Sequence, residues 1–361
     1  MALSVHIRKK LKDFYLDVHF ESESGCLGLL GSSGCGKSMT LKCIAGIETP
    51  DEGTIILNDR VLFDSAQKIN LPPQKRKVGY LFQNYALFPN MTVRENVEEG
   101  LSGSGETFAS KKEKDEFIQK LLDQFHVGEL ADSYPTKMSG GQQQRTALAR
   151  IVASSPDILL LDEPFSALDS YLREQLLQEM KGFLQSYQKD VVMVSHNRDE
   201  VYQMCEQMAV MGEGTIEISG ETRALFANPV TAGAARLTGC KNISEIEILD
   251  SHTFYASDWN MKFHLPEAIP TGVTHVGIRA HDLREAVDGD ENVMECELDH
   301  ISEAPFEMYL ILKNKDTEDF VDKGNKPAPV WWKISKKEWQ EAQKNVPEKI
   351  CFPPEHLLLL K

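Results

Sequence analysis

The chain has 361 residues, of which 41% are hydrophobic and 26% are charged. This balance excludes a chain that is disordered throughout, because such a chain lacks the apolar residues that a core needs. The 39 Lys and Arg face 55 Asp and Glu, which gives a formal net charge of −16. A general nucleic-acid binder needs a basic face, so we expect no nucleic-acid partner. Nucleotide binding stays open, because phosphate sites use local backbone N–H groups and one or two cations.

The sequence also argues against membrane-spanning and secreted classes. No window approaches the roughly eighteen consecutive apolar residues of a transmembrane helix. The first twelve residues mix basic side chains with short apolar runs, unlike a secretory signal. The seven cysteines form no CxxC pair, so we expect the reduced thiols of a cytosolic protein.

The N-terminal part opens as an α/β unit. Residues 5–7 and 15–20 alternate apolar and polar side chains, as half-buried strands do. A continuously apolar run at 26–30 then ends in a glycine-rich turn, and a helix is predicted over 38–47. A strand, a glycine loop and a helix in this order are typical of α/β proteins.

Two further apolar runs, 158–161 and 191–194, predict central parallel strands that are buried on both faces. Helices are predicted over 111–127 and 141–154, so residues from about 90 to 153 form a helical subdomain inserted in the α/β core. The first of these helices places four apolar residues on one face: Phe117, Leu121, Leu122 and Phe125.

The second half of the chain has a different pattern of apolar and polar residues. Residues 208–211 and 215–219 flank Gly-Glu-Gly and predict a hairpin, and 221–226 predicts a short helix. Beyond about residue 239, short alternating stretches lie between turns. We therefore predict a first domain over 1–235 and a separate, mainly β domain over 240–361.

The turn after the first apolar run fits G-x-x-x-x-G-K-[ST], the phosphate-binding P-loop. Its glycines let successive N–H groups point into one concave nest, the lysine can reach the β- and γ-phosphates, and the last serine can bind Mg²⁺. The predicted nucleotide-binding residues of this segment are Gly31, Ser32, Ser33, Gly34, Cys35, Gly36, Lys37, Ser38 and Met39.

A second nucleotide element follows the apolar run 158–161. Asp162 at the end of a buried strand can hold Mg²⁺, and Glu163 can then orient or deprotonate the attacking water. A strand-end acid can also cap the next helix, but beside a P-loop the nucleotide role is favoured.

These motifs, with four others in order, resemble the ATP-binding-cassette (ABC) ATPases over residues 1 to about 230. Met138-Ser-Gly-Gly-Gln resembles the family signature, although the usual form begins with Leu. Gln83 resembles the Q-loop glutamine, Ser166-Ala-Leu-Asp169 the D-loop, and His196 the switch histidine. The signature residues are Ser139, Gly140, Gly141 and Gln142.

The resemblance implies a head-to-tail dimer with two ATP molecules and Mg²⁺ at the interface. Ser139 starts a helix whose free N–H groups suit an anion, so it would serve the partner's ATP, although a plain helix N-cap is the alternative. Gln83 would contact Mg²⁺ or the lytic water, His196 would bond the γ-phosphate, and Asp169 would lie at the nucleotide.

The family usually stacks adenine on an aromatic residue shortly after the first strand. Here that slot holds Leu11. Phe14 or Tyr15 can substitute, although period-2 alternation would bury one of the two as ordinary core. We take Phe14 as the candidate adenine contact.

Several stretches, including 53–64, 71–80 and the Leu-Phe-Pro that ends at residue 89, resemble the molybdate-importer ATPases. The resemblance implies an ATPase subunit on the cytoplasmic face of the cell membrane, with permease subunits and, indirectly, a solute-binding protein as partners. Sulfate, polyamine, iron and sugar importers share much of this pattern. A DNA-repair or mechanical ATPase is disfavoured, since only 56 positions separate Gln83 from Ser139 and no sustained heptads occur. A ribosome-acting factor usually carries two cassettes, and this chain has one P-loop.

Two expectations concern the surface. The family docks a permease helix beside the Q-loop, so we expect part of 84–89, including Tyr85 and Phe88, to be exposed; packing in the subunit's own core is the alternative. In the C-terminal part, residues 285–307 carry nine acids and no Lys or Arg, which would repel an oxyanion unless backbone donors bind it. A structural or regulatory contact is favoured there, and Trp331, Trp332 and Trp339 are expected in a core or an interface.

Overall fold

The computed structural model describes residues 3–12, 14–22, 25–103, 107–166, 169–187, 189–315, 328–343 and 345–361. The chain divides into two compact units, Met1–Arg223 and Ala224–Lys361. This division lies before the expected boundary at 235–240. The reason is that 230–240 pack with the end of the chain: Lys361 N–H donates to Val230 O, Ala232 N–H donates to Lys361 O, and Ala235 and Leu360 share one apolar cluster.

Within the described residues of the first unit, eleven strands form one sheet in the order β6-β5-β4-β1-β2-β11-β10-β3-β9-β8-β7. The strands β10, β3, β9, β8 and β7 are mutually parallel and the others are mostly antiparallel. This confirms the predicted central parallel strands and the hairpin. The strands are β1 Leu3–Lys10, β2 Tyr15–Ser22, β3 Cys26–Gly31, β4 Glu52–Leu57, β5 Arg60–Asp64, β6 Ile69–Asn70, β7 Val78–Leu81, β8 Ile158–Asp162, β9 Asp190–Ser195, β10 Gln207–Gly212 and β11 Thr215–Glu221.

The helices of this unit are α1 Lys37–Ala45, α2 Pro73–Arg76, α3 Val93–Gly100, α4 Lys111–Gln124, α5 Gly140–Ala153, α6 Ser170–Tyr187 and α7 Arg198–Met204. Helices α3, α4 and α5 pack on one another, in the region predicted as the helical subdomain. Helix α4 ends three residues before the predicted 127, because Phe125 leaves the helical region and His126 has a positive φ of 54°. Ile118 is buried on its apolar face and Phe117 is only half-buried.

The second unit is mainly β, as predicted. Two five-stranded sheets, ordered β14-β13-β12-β15-β21 and β16-β20-β17-β18-β19, occur among its described residues. Its core contains Trp259, Phe263 and Phe352, and Trp339 joins it while Trp331 and Trp332 are half-buried. Helix α8 Thr222–Ala227 includes the last two residues of the first unit. The other elements of the second unit are α9 Ala232–Leu237, β12 Asn242–Ile248, β13 Thr253–Ala256, β14 Met261–His264, β15 His275–Ile278, β16 Arg284–Glu285, β17 Val293–Glu303, β18 Glu307–Asn314, β19 Val330–Ser335, α10 Lys336–Glu341, β20 Lys349–Cys351 and β21 Leu358–Leu360.

Several acidic side chains of residues 285–307 are paired with basic side chains in the folded structure. Basic side chains from neighbouring elements pair with five of its acids: Arg284 with Asp290, Lys349 with Glu295, Lys313 with Asp299, Lys336 with Glu303 and Lys333 with Glu307. The Arg284 guanidinium lowers the pKa of Asp290 to about 2. The repulsion of an oxyanion by residues 285–307 is therefore weaker than the sequence of the run predicts, because basic side chains from neighbouring elements pair with its acids.

Candidate nucleotide-binding site

The loop between β3 and α1 forms a cradle that requires glycine. Gly34 and Gly36 have φ of 84° and 108°, in the left-handed region that favours glycine. A Cβ on Gly31 would lie 2.4 Å from the backbone oxygen of Met211. The loop opens onto the N-terminus of α1, where backbone N–H groups and the helix dipole favour an anion.

Lys37 holds its ammonium group over this loop. Its Nζ donates to the carbonyl oxygens of Gly31 and Ser32, at 2.7 Å each, and the side chain is almost fully buried. A cation is thereby positioned inside the ring of backbone groups, which is the place where a phosphate would need it.

A pocket of about 310 Å³ extends from this cradle. Phe14 lines this pocket. Its Cε2 atom lies 3.6 Å from the position that a Cβ on Gly36 would occupy, so the ring is close to the cradle. Tyr15 is 65% exposed, with its ring 5.8 Å from Lys10 Nζ. The structure thus separates the two aromatic candidates and brings Phe14 to the cradle. The described lining consists of Leu11, Phe14, Ser33, Gly34, Gly36, Lys37, Ser38, Met39, Lys42 and Glu163.

The carboxylate of Asp162 joins three segments that are distant in sequence. Ser38 Oγ donates to Asp162 Oδ1 and Tyr80 Oη donates to Asp162 Oδ2, both at 2.7 Å. Burial and the bond to this carboxylate raise the pKa of Tyr80. Hydroxyl and carboxylate oxygens are the ligands that Mg²⁺ prefers, so Ser38 and Asp162 fit the metal that the sequence implies.

Glu163 and His196 meet at the ends of adjacent strands. The Glu163 N–H donates to Val194 O and its backbone has a positive φ of 47°, which turns the chain directly after β8. His196 follows β9, and its Nδ1 lies 3.2 Å from Glu163 Oε1. Carboxyl ends of parallel strands are the usual ligand edge of an open α/β sheet. Two of the three predicted catalytic residues, Glu163 and His196, therefore lie together.

Gln83 is joined by a hydrogen bond to the segment that follows Glu163. Its Nε2 donates to Ser166 Oγ at 3.2 Å, and Ser166 Oγ donates to Glu163 O at 3.0 Å. Ser166 therefore connects Gln83 to the backbone of Glu163. Ala167 and Leu168, in the predicted D-loop, lie outside the described residues.

Ser139 and Asp169 both cap helices. Ser139 Oγ accepts from Gln142 N–H at 3.4 Å, and Gln142 Oε1 accepts from Ser139 N–H at 2.9 Å, which makes a capping box at the start of α5. Asp169 Oδ1 accepts from Leu172 N–H at 3.0 Å, near the start of α6. Among the described residues, no hydrogen bond links Ser139–Gln142 to the P-loop.

Residues 15–166 match the ABC transporter family. The chain is 31% identical over 311 residues to a molybdenum import ATP-binding protein of Rhizobium johnstonii, which covers 84% of this chain and 86% of that protein. It is 33% identical to a sulfate/thiosulfate import ATP-binding protein of Synechococcus elongatus, over 84% of this chain and 83% of that one. The chain belongs to the ABC transporter family.

Another relative is a spermidine/putrescine import ATP-binding protein of Oleidesulfovibrio alaskensis, 42% identical over 60% of this chain; the match spans only 56% of that protein's own length. Among solved structures, a dimeric ATP-binding cassette in a post-hydrolysis state, bound to ADP and phosphate, has a TM-score of 0.53 at 28% identity. It covers 62% of this chain and 99% of the solved one. In the part of the chain that the structure describes, no helix is long and apolar enough to cross a membrane.

In the segment after the Q-loop glutamine, residues 84–89, one residue that was expected to be exposed is buried. Tyr85 is buried, with 5% exposure, so the prediction that Tyr85 is exposed for docking is wrong. Phe88 is 43% exposed, and its ring lies 5.2 Å from the guanidinium of Arg150. Arg150 also donates to the carbonyls of Tyr85 and Ala86, which holds this turn against α5.

Three contacts near the ABC site were not predicted from the sequence. Tyr80 Oη donates to Asp162, and Ser166 Oγ accepts from Gln83. Glu200, which is buried, accepts from Ser195 Oγ at 2.6 Å directly before His196, and burial raises the pKa of Glu200. Tyr80 had one usable signal, since it lies near the carboxyl end of a short apolar strand just before Gln83; Glu200 had none, because its contact depends on the fold of α7.

Proposed function

We propose that this chain is the ATP-hydrolysing subunit of an ABC importer, in which ATP binding and hydrolysis at a head-to-tail dimer interface drive solute uptake. The observation that carries the proposal is the meeting of the P-loop, Asp162 and Glu163 at one sheet edge, with His196 3.2 Å from the Glu163 carboxylate. A binding-only protein would have no use for a carboxylate placed beside the metal ligands.

The residues divide the chemistry among them. The N–H groups of the P-loop and Lys37 would hold the phosphates, with Phe14 and Leu11 against adenine. Ser38 and Asp162 would hold Mg²⁺, which neutralises phosphate charge when bound. Glu163 would accept a proton from the attacking water, and His196, whose Nδ1 lies 3.2 Å from Glu163 Oε1, would orient that carboxylate and the γ-phosphate. Gln83 would report on this site through Ser166.

We infer that Ser139–Gln142 and Asp169 act on the ATP of a second copy. Two observations support this: Ser139 is exposed at the start of α5, and the structural neighbour is a dimeric cassette with ADP and phosphate. Permease subunits and, indirectly, a solute-binding protein would complete the assembly at the cytoplasmic face of the membrane.

For the solute, we favour molybdate or a related oxyanion. One molybdenum and one sulfate/thiosulfate relative align over 84% of this chain, including part of the second unit, whereas two spermidine/putrescine relatives align over 60% and 72%. Polyamine, iron and sugar importers remain the alternatives. Uptake into vesicles with the cognate permease and binding protein, across a panel of oxyanions, polyamines, ferric iron and sugars, distinguishes them.

The ATPase role is tested by Glu163→Gln. We expect ATP binding to be kept and turnover to fall by about 10²–10⁴-fold, the usual contribution of a general base. Glu174→Gln, an exposed acid on α6, is the matched control and should keep wild-type turnover. Near-normal turnover of Glu163→Gln would refute the assignment.

The shared site is tested by mixing a Lys37→Ala chain with a Ser139→Arg chain. In the heterodimer one composite site carries both changes and the other carries neither. We expect the mixture to recover part of the ATPase activity that each variant lacks alone. Heterodimers that form without any recovery would contradict two independent shared sites.

A further inference from the structure

The carboxylate of Asp162 is held from two sides, and each of its oxygens has its own donor. Ser38 Oγ, at the start of α1, donates to Oδ1 at 2.7 Å, and Tyr80 Oη, on strand β7, donates to Oδ2 at 2.7 Å. A carboxylate can only accept, so the phenol hydroxyl is the donor of the second bond. Bonds of this length between a hydroxyl and a carboxylate are among the strong hydrogen bonds of proteins.

The register of the sheet brings Tyr80 to this carboxylate. Strand β7 runs parallel to β8, with Tyr80 opposite Leu160. Asp162 lies two residues beyond Leu160, and residues two apart in a strand point to the same face of the sheet. The Tyr80 side chain therefore extends along that face, and its hydroxyl meets Asp162 from the neighbouring strand.

Packing restricts both partners of this bond. The Tyr80 ring is half-buried against the apolar core of the sheet, and its centroid lies 4.4 Å from that of the Phe82 ring. Asp162 is 7% exposed, so water has little access to its oxygens. Among the described residues, Tyr80 is the one hydrogen-bond donor to Oδ2. Loss of its hydroxyl would leave the Asp162 carboxylate held through Oδ1 alone.

We propose that Tyr80 is a positioning residue for the divalent metal that Ser38 and Asp162 would hold, because its hydroxyl fixes the rotation of the Asp162 carboxylate. This inference rests on the proposed ATPase function and adds the residue that orients its metal site. Tyr80 uses the oxygen that Ser38 does not use, so it leaves Oδ1 directed towards the P-loop. Groups that bond to a ligating carboxylate typically contribute about 10–100-fold to metal affinity or activity.

Tyr80→Phe tests this role, because it removes the hydroxyl and keeps the ring. Mn²⁺ is the probe, since it prefers oxygen ligands as Mg²⁺ does and electron paramagnetic resonance counts the free ion directly. It is titrated into the whole chain carrying one equivalent of the non-hydrolysable ATP analogue AMP-PNP. We expect the Kd of Mn²⁺ to rise at least about tenfold in Tyr80→Phe. The affinity for AMP-PNP in EDTA, measured by calorimetry, should stay within about twofold of the wild type, because the cradle itself is unchanged.

Tyr187→Phe is the matched control. The Tyr187 hydroxyl, at the end of α6, is buried and has no hydrogen-bond partner in the part of the chain that the structure describes. Its removal is the same chemical change at a tyrosine that does not touch Asp162. We expect Tyr187→Phe to bind Mn²⁺ and AMP-PNP as the wild type does, and a Kd for Mn²⁺ that rises equally in both variants would overturn the proposal.

The other outcomes separate this inference from the proposed function. If the wild-type chain binds AMP-PNP and Mn²⁺, and Tyr80→Phe binds Mn²⁺ equally tightly, only the positioning role is overturned. Tighter Mn²⁺ binding by Tyr80→Phe would also overturn it, since the hydroxyl would then compete with the metal for Asp162. If Tyr80→Phe loses AMP-PNP binding in EDTA, its hydroxyl supports the fold of the cradle and the metal role is refuted. A wild-type chain that binds neither probe would refute the proposed function and this inference with it.

Discussion

Replacing Arg76 with Met should destabilise the helix that forms the phosphate cradle. Arg76 is fully buried, and its guanidinium closes the C-terminal end of α1. Nη1 donates to the carbonyl oxygens of Cys43 and Ile44 at 2.8 Å each, Nε donates to Leu71 O at 2.7 Å, and Nη2 donates to Asn70 Oδ1 at 2.8 Å. The last carbonyls of a helix have no partner within it, and a cation there also complements the helix dipole.

The magnitude follows from the acceptors that the change would leave unpaired. A buried polar group without a partner costs about 1–3 kcal/mol. The carbonyls of Ile44 and Leu71 would lose their Arg76 donors together, whereas Cys43 O also accepts from the Gly46 N–H at 3.2 Å. The Arg76 guanidinium is itself desolvated, and burial lowers its pKa. The variant would no longer carry this desolvation cost, which offsets part of the loss. We therefore expect a net loss of about 3 kcal/mol. For a unit of this size that loss corresponds to a fall in melting temperature of about 6–12 °C.

Calorimetry or circular dichroism on Arg76→Met measures this shift. Arg8→Met is the control, because the Arg8 side chain is more than half exposed and its Nε lies 3.0 Å from Asp17 Oδ2. An exposed pair of this kind contributes at most about 1 kcal/mol. If Arg76→Met melts within about 2 °C of the wild type, or no lower than Arg8→Met, the capping argument is wrong.

Three further changes test the site and its surroundings. Phe14→Ala should weaken binding of an ATP analogue by about tenfold, measured by calorimetry, because its ring lines the cradle pocket, whereas the exposed Tyr15→Ala should leave affinity unchanged. Tyr85→Ala should lower the melting temperature by several degrees, because it removes a buried aromatic side chain, and Phe88→Ala should melt near wild type; the reverse order would show that the turn packs differently. Asp290→Asn should reduce stability at neutral pH, since the carboxylate has a lowered folded-state pKa of about 2; the difference from wild type should shrink as pH falls from the ordinary range of an aspartate towards 2, and a constant difference would refute the linkage.

Local patterns were enough to predict the cradle and the sheet that carries it. The segment from Gly31 to Ser38 encodes its own turn, because the positive φ values at Gly34 and Gly36 are accessible to glycine at little cost. The apolar runs 158–161 and 191–194 predict buried strands from their local sequence alone, without knowledge of the neighbouring strands. Asp162 and His196 follow these runs by one or two residues, so parallel pairing alone brought them to the same edge.

Contacts between distant segments could not be predicted in this way. Tyr80 reaches Asp162 across 82 positions, and Gln83 reaches Ser166 across 83. Tyr85 belongs to a stretch whose apolar residues suit a core as well as a docking surface, so the residue pattern alone does not predict that Tyr85 is buried and Phe88 is exposed.

The two interpretations of Ser139, a helix cap and an anion site, use different atoms. The cap consumes the Ser139 hydroxyl, the Gln142 side chain and the N–H groups of those two residues. Gly140 and Gly141 occupy the first two positions of α5, where backbone N–H groups have no acceptor within the helix. Gly140 is half-buried and has no side chain beyond hydrogen, so an anion can approach its N–H group, whereas Gly141 is buried beside Leu172 and Leu176. The cap therefore fixes the helix start and leaves the first donor of α5 without an acceptor inside the helix, which is the property that an anion site needs.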